Sequence, residues 1–290
     1  MFGVHRGVEL KTRDQLLQMR RAGRVVAAAL AATRAEARPG VSTRELDGVA
    51  ADVLRSAGAL PSFLGYGAED GVGGFAGVTC LSTNEEVVHG VPGDRVLADG
   101  DLLSIDCGAV VEGWHGDAAV TVAVGEVDPA AGALSEATRQ ALWRGIGAAR
   151  LGGFVGDISA AVEGYVRSLP VPYGIVEEYV GHGIGSSMHQ PPDVPNVVGK
   201  GLLRGAGMAG RGPRIVEGLA LAVAPMLTLG SPDNHVLDDD WTVVTDDGAV
   251  AAHWEHTITV TEHGVWVLTA EDGGAEMLAS LGVAFGPLAD

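Results

Sequence analysis

The chain has 290 residues, of which 47% are hydrophobic and 19% charged, with a formal net charge of −18 at pH 7; this is the composition of a soluble globular protein with room for one large domain or two small ones. So acidic a balance works against binding nucleic acid or an anionic membrane surface, since both need a basic patch. Two cysteines and no charged-then-apolar leader in the first six residues point away from a disulfide framework and towards a cytoplasmic protein, and the apolar run at 219–229, interrupted by Pro225, is too short to span a bilayer.

In chain order, Leu16, Leu17, Met19, Val25, Val26, Ala29 and Leu30 recur at helical spacing over residues 12–37, and Pro39-Gly40 closes that helix. Ser42 and Glu45 make a capping box ahead of Leu46, Val49, Ala50, Val53 and Leu54, which predicts a second helix stopping at Gly58. A strand-like run at 75–81 and a short Val87-Val88 run into His89 follow. Residues 102–107 and 114–122 read as a β-hairpin turning near 110–113, which sets Asp106 opposite Asp117 with Cβ atoms about 5 Å apart. Leu102, Leu103, Ile105, Val120 and Val122 argue that the hairpin is buried. Two buried carboxylates at that distance repel each other unless a proton or a cation lies between them, so a metal is the economical reading. An edge hairpin with both acids in water is the alternative.

After Asp128-Pro129 the order repeats, with helices at about 133–151 and 157–168 and strands at 179–183, 219–227, 241–245 and 255–261. Helix, helix, strands occurring twice predicts two halves stacked into one α+β domain with a cleft between them, although no sequence identity links the halves. Glycine-rich interruptions at 67–74 and 199–212 read as mobile loops with little core of their own.

Within the second set, Gly181-His-Gly-Ile-Gly185 follows a strand at 176–180 and frees the backbone around His182. Taken alone, such a histidine is more often structural than a ligand. Glu255 stands at the mouth of an apolar, β-branched strand, where an edge-strand charge is the competing reading. Together, Asp106, Asp117, His182 and Glu255 offer three carboxylates and one imidazole, the hard ligand set of a pair of divalent cations such as Mn²⁺, Co²⁺ or Fe²⁺. A thiolate-rich zinc site is excluded by composition. A pair of such ions polarises a carbonyl and delivers a bound hydroxide at neutral pH, which is the apparatus of amide hydrolysis. Neutral His89 and His189 are the candidates to hydrogen-bond substrate and tetrahedral intermediate, or else are ordinary polar loop residues.

Asn84-Glu-Glu-Val-Val-His-Gly-Val-Pro92, Ser104-Ile-Asp-Cys-Gly108, Gly113-Trp-His-Gly-Asp117, Gly181-His-Gly-Ile-Gly185, Met188-His189 and Trp254-Glu-His-Thr257 occur jointly and in this order. In them the chain resembles the type I methionine aminopeptidases. The resemblance implies a pita-bread fold filling a single domain over 1–290, with its core at about 12–269. It implies two divalent ions (Co, Mn, Fe or Zn) held by Asp106, Asp117, His182 and Glu255, with Asp117 and Glu255 as the bridging pair. His89 and His189 match the substrate-facing histidines, and Phe63, Tyr66, Phe75, Cys80, Met188 and Trp241 fall where the family lines its methionine pocket, whose apolar and sulfur character suits a thioether. The implied activity is N-terminal methionine excision from peptides through a metal-bound hydroxide, by a cytoplasmic monomer without nucleic-acid or membrane partners.

One position departs from this pattern. The family's strand reads Ile-Glu-Pro-Met, and here Ala222-Val-Ala-Pro-Met226 puts Ala224 where a fifth ligand, a glutamate on the histidine-bearing metal, is expected. That first site keeps His182, Asp117 and Glu255 but is weakened or empty. The glycine-rich loops look longer than the family's usual connections, which favours a natural divergent relative over a single introduced change. Two other readings therefore stand beside the peptidase: a one-metal relative acting on another small amide or amino-acid-derived substrate, and a pseudoenzyme that binds peptide or protein in the cleft.

Overall fold

The computed structural model describes residues 7–68, 73–198 and 211–289. Both predicted helix pairs are present, and local chemistry explains where each helix begins. Helix α1 (Arg13–Glu36) starts at a reciprocal cap, in which the Gln15 N–H donates to Thr12 Oγ1 at 3.3 Å and the Thr12 N–H donates to Gln15 Oε1 at 2.8 Å. Helix α2 (Thr43–Ser56) starts at the expected Ser42–Glu45 box, and Gly58 beyond it takes φ 67°. In the second half, Asp128 accepts the Ala130 N–H at 2.7 Å ahead of α3 (Pro129–Ala148). Asp157 accepts the Phe154 N–H at 3.0 Å in the first turn of α4 (Val155–Ser168).

The strands of the first half are β1 (Leu60–Pro61), β2 (Thr79–Thr83), β3 (Glu86–Val88), β4 (Leu102–Val111) and β5 (Trp114–Ala123). Those of the second are β6 (Gly174–Ile175), β7 (Gly181–Gly183), β8 (Gln190–Val194), β9 (Ala220–Val223), β10 (Met226–Thr228), β11 (Asn234–Val236), β12 (Val243–Thr245), β13 (Ala251–His253), β14 (Glu255–Thr261) and β15 (Gly264–Val267), followed by α5 (Ala275–Ser280). A nine-stranded sheet runs β1-β4-β5-β14-β9-β7-β8, with β2 also on β4 and β15 also on β14. Two three-stranded sheets, β13-β10-β6 and β11-β12-β3, complete the framework. The halves meet where β14 joins β5, Glu255 pairing with Ala119 and His256 with Ala118.

Helices α1 and α2 close over the β4–β5 hairpin around Leu46, Leu103, Ile105 and Val26, all fully buried, each such side chain contributing about 2 kcal/mol. Contact between α1 and the hairpin is backbone to backbone: a Cβ on Gly116 would lie 2.7 Å from the Gly23 nitrogen, and one on Gly23 would collide with the Leu268 carbonyl. Helices α3 and α4 cover the second half through Leu142, Ile146, Ile158 and Val162.

Several expectations are corrected. The hairpin turns through two residues, Glu112 and Gly113, at φ 50° and 83°, as a tight primed turn requires. Asp106 therefore faces Ala119, and Asp117 faces Gly108; the two acids are diagonal neighbours on one face and not directly opposed. No strand forms at 176–180, where Glu177 and Glu178 face solvent. Phe75 lies outside β2, exchanging backbone hydrogen bonds with Gly65 and Tyr66. The run 219–227 divides at Ala224-Pro225, because proline has no N–H for the ladder. The partner chain divides at the same level, between β13 and β14, where the Trp254 N–H donates to Pro225 O at 3.3 Å. Most of the two glycine-rich stretches, 69–72 and 199–210, lies outside the described residues; of the flanks, Gly67 sits against the Trp241 ring.

Candidate active site

A row of small residues floors the site. Ala119 lies between Asp106 on one side and Glu255 on the other, Gly108 faces Asp117, and Ala222 faces His182. Directly paired residues of adjacent strands project to the same face, so methyl groups or hydrogen atoms beneath let four long polar side chains converge from β4, β5, β7 and β14. The register continues through the double break: Val223 pairs with His256 and Met226 with His253, which sets Ala224 across from Glu255 on the same face. Ala224 is buried and lines the cleft.

Two three-donor sets result. In one, His182 Nε2 lies 3.9 Å from Asp117 Oδ2 and 3.8 Å from Glu255 Oε1. His182 Nδ1 donates to the Gly183 carbonyl at 3.0 Å, which fixes the tautomer and leaves the Nε2 lone pair pointing at the acids. In the other, Asp106 and Glu255 meet His253, whose Nε2 is 3.1 Å from Glu255 Oε2. Within each set the donor atoms lie within 4.8 Å of one another, and Glu255 belongs to both.

Burial and mutual charge set the electrostatics of these groups. Asp106 Oδ1, Asp117 Oδ1 and Glu255 Oε1 are sealed from solvent without a hydrogen-bond partner, a costly condition for a carboxylate unless a cation balances it. Burial, and then the charge of Glu255, pushes the Asp106 carboxyl up to about 7. Asp117 is raised well above its ordinary value by burial, Glu255 and Asp106. For Glu255 burial acts upward but is outweighed by the hydrogen bond and charge of His253 and by His182, so this carboxyl is lowered. Sealed, converging acids of this kind fit divalent cations.

His89 and His189 face the same cleft. Burial above all holds each near a pKa of about 4, so both are neutral imidazoles at pH 7. His89 takes φ 60° and meets the Tyr179 ring edge-on at 5.5 Å. The His189 ring lies 4.4 Å from that of His182, and its Nδ1 is 2.6 Å from the Tyr66 hydroxyl. With that phenol donating to Nδ1, Nε2 of His189 carries the N–H. Glu9 ties down the turn bearing Met188 and His189 by accepting from the Ser186 N–H, Ser186 Oγ and Gln190 Nε2.

Phe63, Phe75, Cys80 and Met188 are buried together, with Trp241 against them. Phe75 stands edge-on to both Phe63 (6.4 Å) and Trp241 (5.5 Å). Tyr66 lines the same cleft from its rim, 42% exposed. Burial raises the Cys80 thiol well above its usual range, so it is an apolar wall residue and not a nucleophile.

All of the sequence-derived candidates thus line one cleft, and His253 and Tyr179, which also line it, were missed. His253 shares a strand face with Glu255 two residues on, and the alternation His253-x-Glu255 was the available signal. Tyr179 had none, being brought in by a loop; Asn196, buried outside the cleft lining, donates from Nδ2 to the Ala224 carbonyl at 3.1 Å.

Comparison with known proteins gives a consistent picture. Residues 17–262 match metallopeptidase family M24. The chain is 49% identical to methionine aminopeptidase 1 of Mycobacterium tuberculosis over 269 residues, 91% of this chain and 96% of that protein. It is 43% identical to methionine aminopeptidase 1 of Bacillus subtilis over 259 residues, 89% of this chain and 98% of that one. A crystal structure of methionine aminopeptidase from Thermotoga maritima superposes with a TM-score of 0.83 at 37% identity, covering 91% of this chain and all of that one.

Proposed function

Since the chain belongs to metallopeptidase family M24, has the pita-bread fold and is an enzyme of the methionine aminopeptidase kind, we propose that it removes N-terminal methionine from peptides, using two divalent ions (Co, Mn, Fe or Zn) held in the cleft. The observation that carries this reading is the pair of donor sets sharing Glu255 beside a wall of aromatic rings and sulfur. Asp117, His182 and Glu255 would hold one ion and Asp106, Asp117 and Glu255 the other, with Asp117 and Glu255 as the shared pair. Ala224 presents only a methyl group opposite Glu255, so an ion beside His182 would rest on three side chains, Asp117, His182 and Glu255. Bound there, divalent ions supply polarisation of an amide carbonyl and ionisation of water at neutral pH.

The remaining work falls to the chain's own groups. Phe63, Phe75, Cys80, Met188 and Trp241 accept an unbranched thioether side chain and exclude water around it. His189, held by Tyr66, points a neutral N–H donor at the oxygen of the scissile amide, and His89, against Tyr179, supplies a second uncharged imidazole in the same cleft. Neutral donors bind the developing negative charge without competing for the carboxylates. Cytoplasmic residence belongs to the same proposal, supported by two buried free cysteines; among the described residues no helix is long and apolar enough to cross a membrane.

The test is turnover of a short methionyl peptide against its leucyl counterpart. Methionine release that stops in chelator and returns with Co²⁺, Mn²⁺, Fe²⁺ or Zn²⁺ is expected. A protein that binds two ions yet stays inert on methionyl peptides with every metal would sink the proposal.

A further inference from the structure

The cleft contains a second imidazole at the acids that the four-residue ligand set does not use. His253 ends β13, and its Nε2 lies 3.1 Å from Glu255 Oε2, on the side of Glu255 away from His182. Its backbone is bolted to the hairpin that carries Asp106: the His253 N–H donates to Thr121 Oγ1 at 3.0 Å and to Ser104 Oγ at 3.2 Å. Thr121 Oγ1 in turn donates to the His253 carbonyl at 2.7 Å. Ser104 and Thr121 form a directly opposed, buried pair on β4 and β5. The imidazole is therefore held in fixed relation to Asp106 two residues further along β4, as a pre-organised ligand has to be.

Its surroundings are as telling. In the strand register His253 faces Met226 and Glu255 faces Ala224, so the diagonal neighbour of the imidazole is a methyl group, which neither competes for Glu255 nor crowds the ring. The donor atoms of Asp106, His253 and Glu255 lie as close together, within 4.8 Å, as those of Asp117, His182 and Glu255. Asp106 Oδ1 remains sealed without a partner although His253 is beside it, as expected where carboxylate and imidazole aim at a common third atom.

We propose that His253 is itself a metal ligand, so that each of the two donor sets, Asp117–His182–Glu255 and Asp106–His253–Glu255, carries one imidazole, with Glu255 and Asp117 between them. This rests on the metal-dependent reading above. An imidazole on each ion moves the centre away from the all-oxygen set that suits Mn²⁺ and towards ions that favour nitrogen, Zn²⁺, Co²⁺ and Fe²⁺. The competing role for His253 is that of a positioning residue which only donates a hydrogen bond to Glu255.

The two roles separate in the Co²⁺-loaded protein. Proton NMR of the parent carrying two Co²⁺ should show two strongly shifted, solvent-exchangeable imidazole N–H signals, and His253→Gln, which keeps a donor to Glu255, should lose one. Calorimetric titration of His253→Gln should show one of two Co²⁺ ions bound at least about tenfold more weakly, with the preference for Co²⁺ over Mn²⁺ narrowed at that site. A parent that binds two Co²⁺ but shows a single shifted imidazole signal would overturn the ligand role, whether or not the variant folds. A parent that binds no Co²⁺ at all would overturn the metal-dependent reading and this inference with it.

Discussion

The aromatic end of the cleft is a satisfied piece of core, with Phe63, Phe75, Cys80 and Met188 buried against one another, whereas the acidic end, beside it in the same cleft, seals Asp106 Oδ1, Asp117 Oδ1 and Glu255 Oε1 from water without a partner. Cys80 and Asp106 make the contrast concrete, since they are directly paired across β2 and β4. One end contributes to the folding free energy; the other draws on it and is repaid only when cations arrive. Truncation should therefore cost stability at the aromatic end, while neutralisation of Asp106 or Asp117, the two raised carboxyls, should raise the stability of the metal-free chain and cost function. Each of the following experiments is able to break that contrast.

The largest effect is expected for Glu255→Gln, because this side chain belongs to both donor sets. Loss of charge stabilisation worth about 4 kcal/mol corresponds to roughly a thousandfold fall in kcat/KM, with a lower melting temperature in chelator as well, because His253 and His182 hold this carboxyl below its ordinary value and its charge therefore favours the fold at neutral pH. Activity within tenfold of the parent would remove Glu255 from the centre.

Next comes Asp106→Asn. Its carboxyl sits at about 7 in the fold against an ordinary 3.8, so between those values the unfolded chain has lost a proton that the fold retains. A raised acid of this kind favours the fold fully below about pH 4, and that contribution drains away as pH rises to 7. Asparagine cannot titrate, so in chelator the variant should gain on the parent across that window by up to roughly 4 kcal/mol, read by urea unfolding at its two ends. Saturating Co²⁺ should reverse the order. A pH-independent difference would mean that the acid is not strained.

At the aromatic end, Phe75→Ala should lose about 3 kcal/mol of stability and raise KM for methionyl peptides, while Co²⁺ affinity stays unchanged. A parallel loss of metal affinity would show that the two ends are not independent. The smallest effect belongs to Tyr66→Phe, which removes one rim hydrogen bond to His189 and should lower kcat by no more than about tenfold, with stability unaltered.

What was legible in the chain followed from locality. The Ser42–Glu45 cap and the apolar spacing of α1 and α2 are decided within a few residues, and acids in apolar strands mark Asp106, Asp117 and Glu255 without help from the fold. The hairpin register was read two residues out because Glu112-Gly113 makes a primed turn without the Asn-Gly or Asp-Gly that usually announces one. His253 escaped because its significance depends on β13 and β14 sharing one register across the break at Trp254, which is set by β10 and β9 far away. The split at Ala224-Pro225 was foreshadowed by the proline, but not its consequence of carrying the chain from one sheet into another. Tyr66 and Trp241 owed their place in the pocket to the family resemblance alone, as nothing local links residues so distant in sequence.

Strand β14 lies between β5 and β9 in the middle of the large sheet, and this placement sets a timetable. Helices α1 and α2 and the hairpin are complete once residue 123 has been made, whereas Glu255, common to both donor sets, emerges on the order of ten seconds later at ordinary rates of synthesis. Until that strand slots between its neighbours, the growing chain has the two hairpin acids, Asp106 and Asp117, without Glu255. A metal centre built on Glu255 would thereby be completed only late in synthesis, and a chain truncated before β14 would lack the carboxylate common to both donor sets.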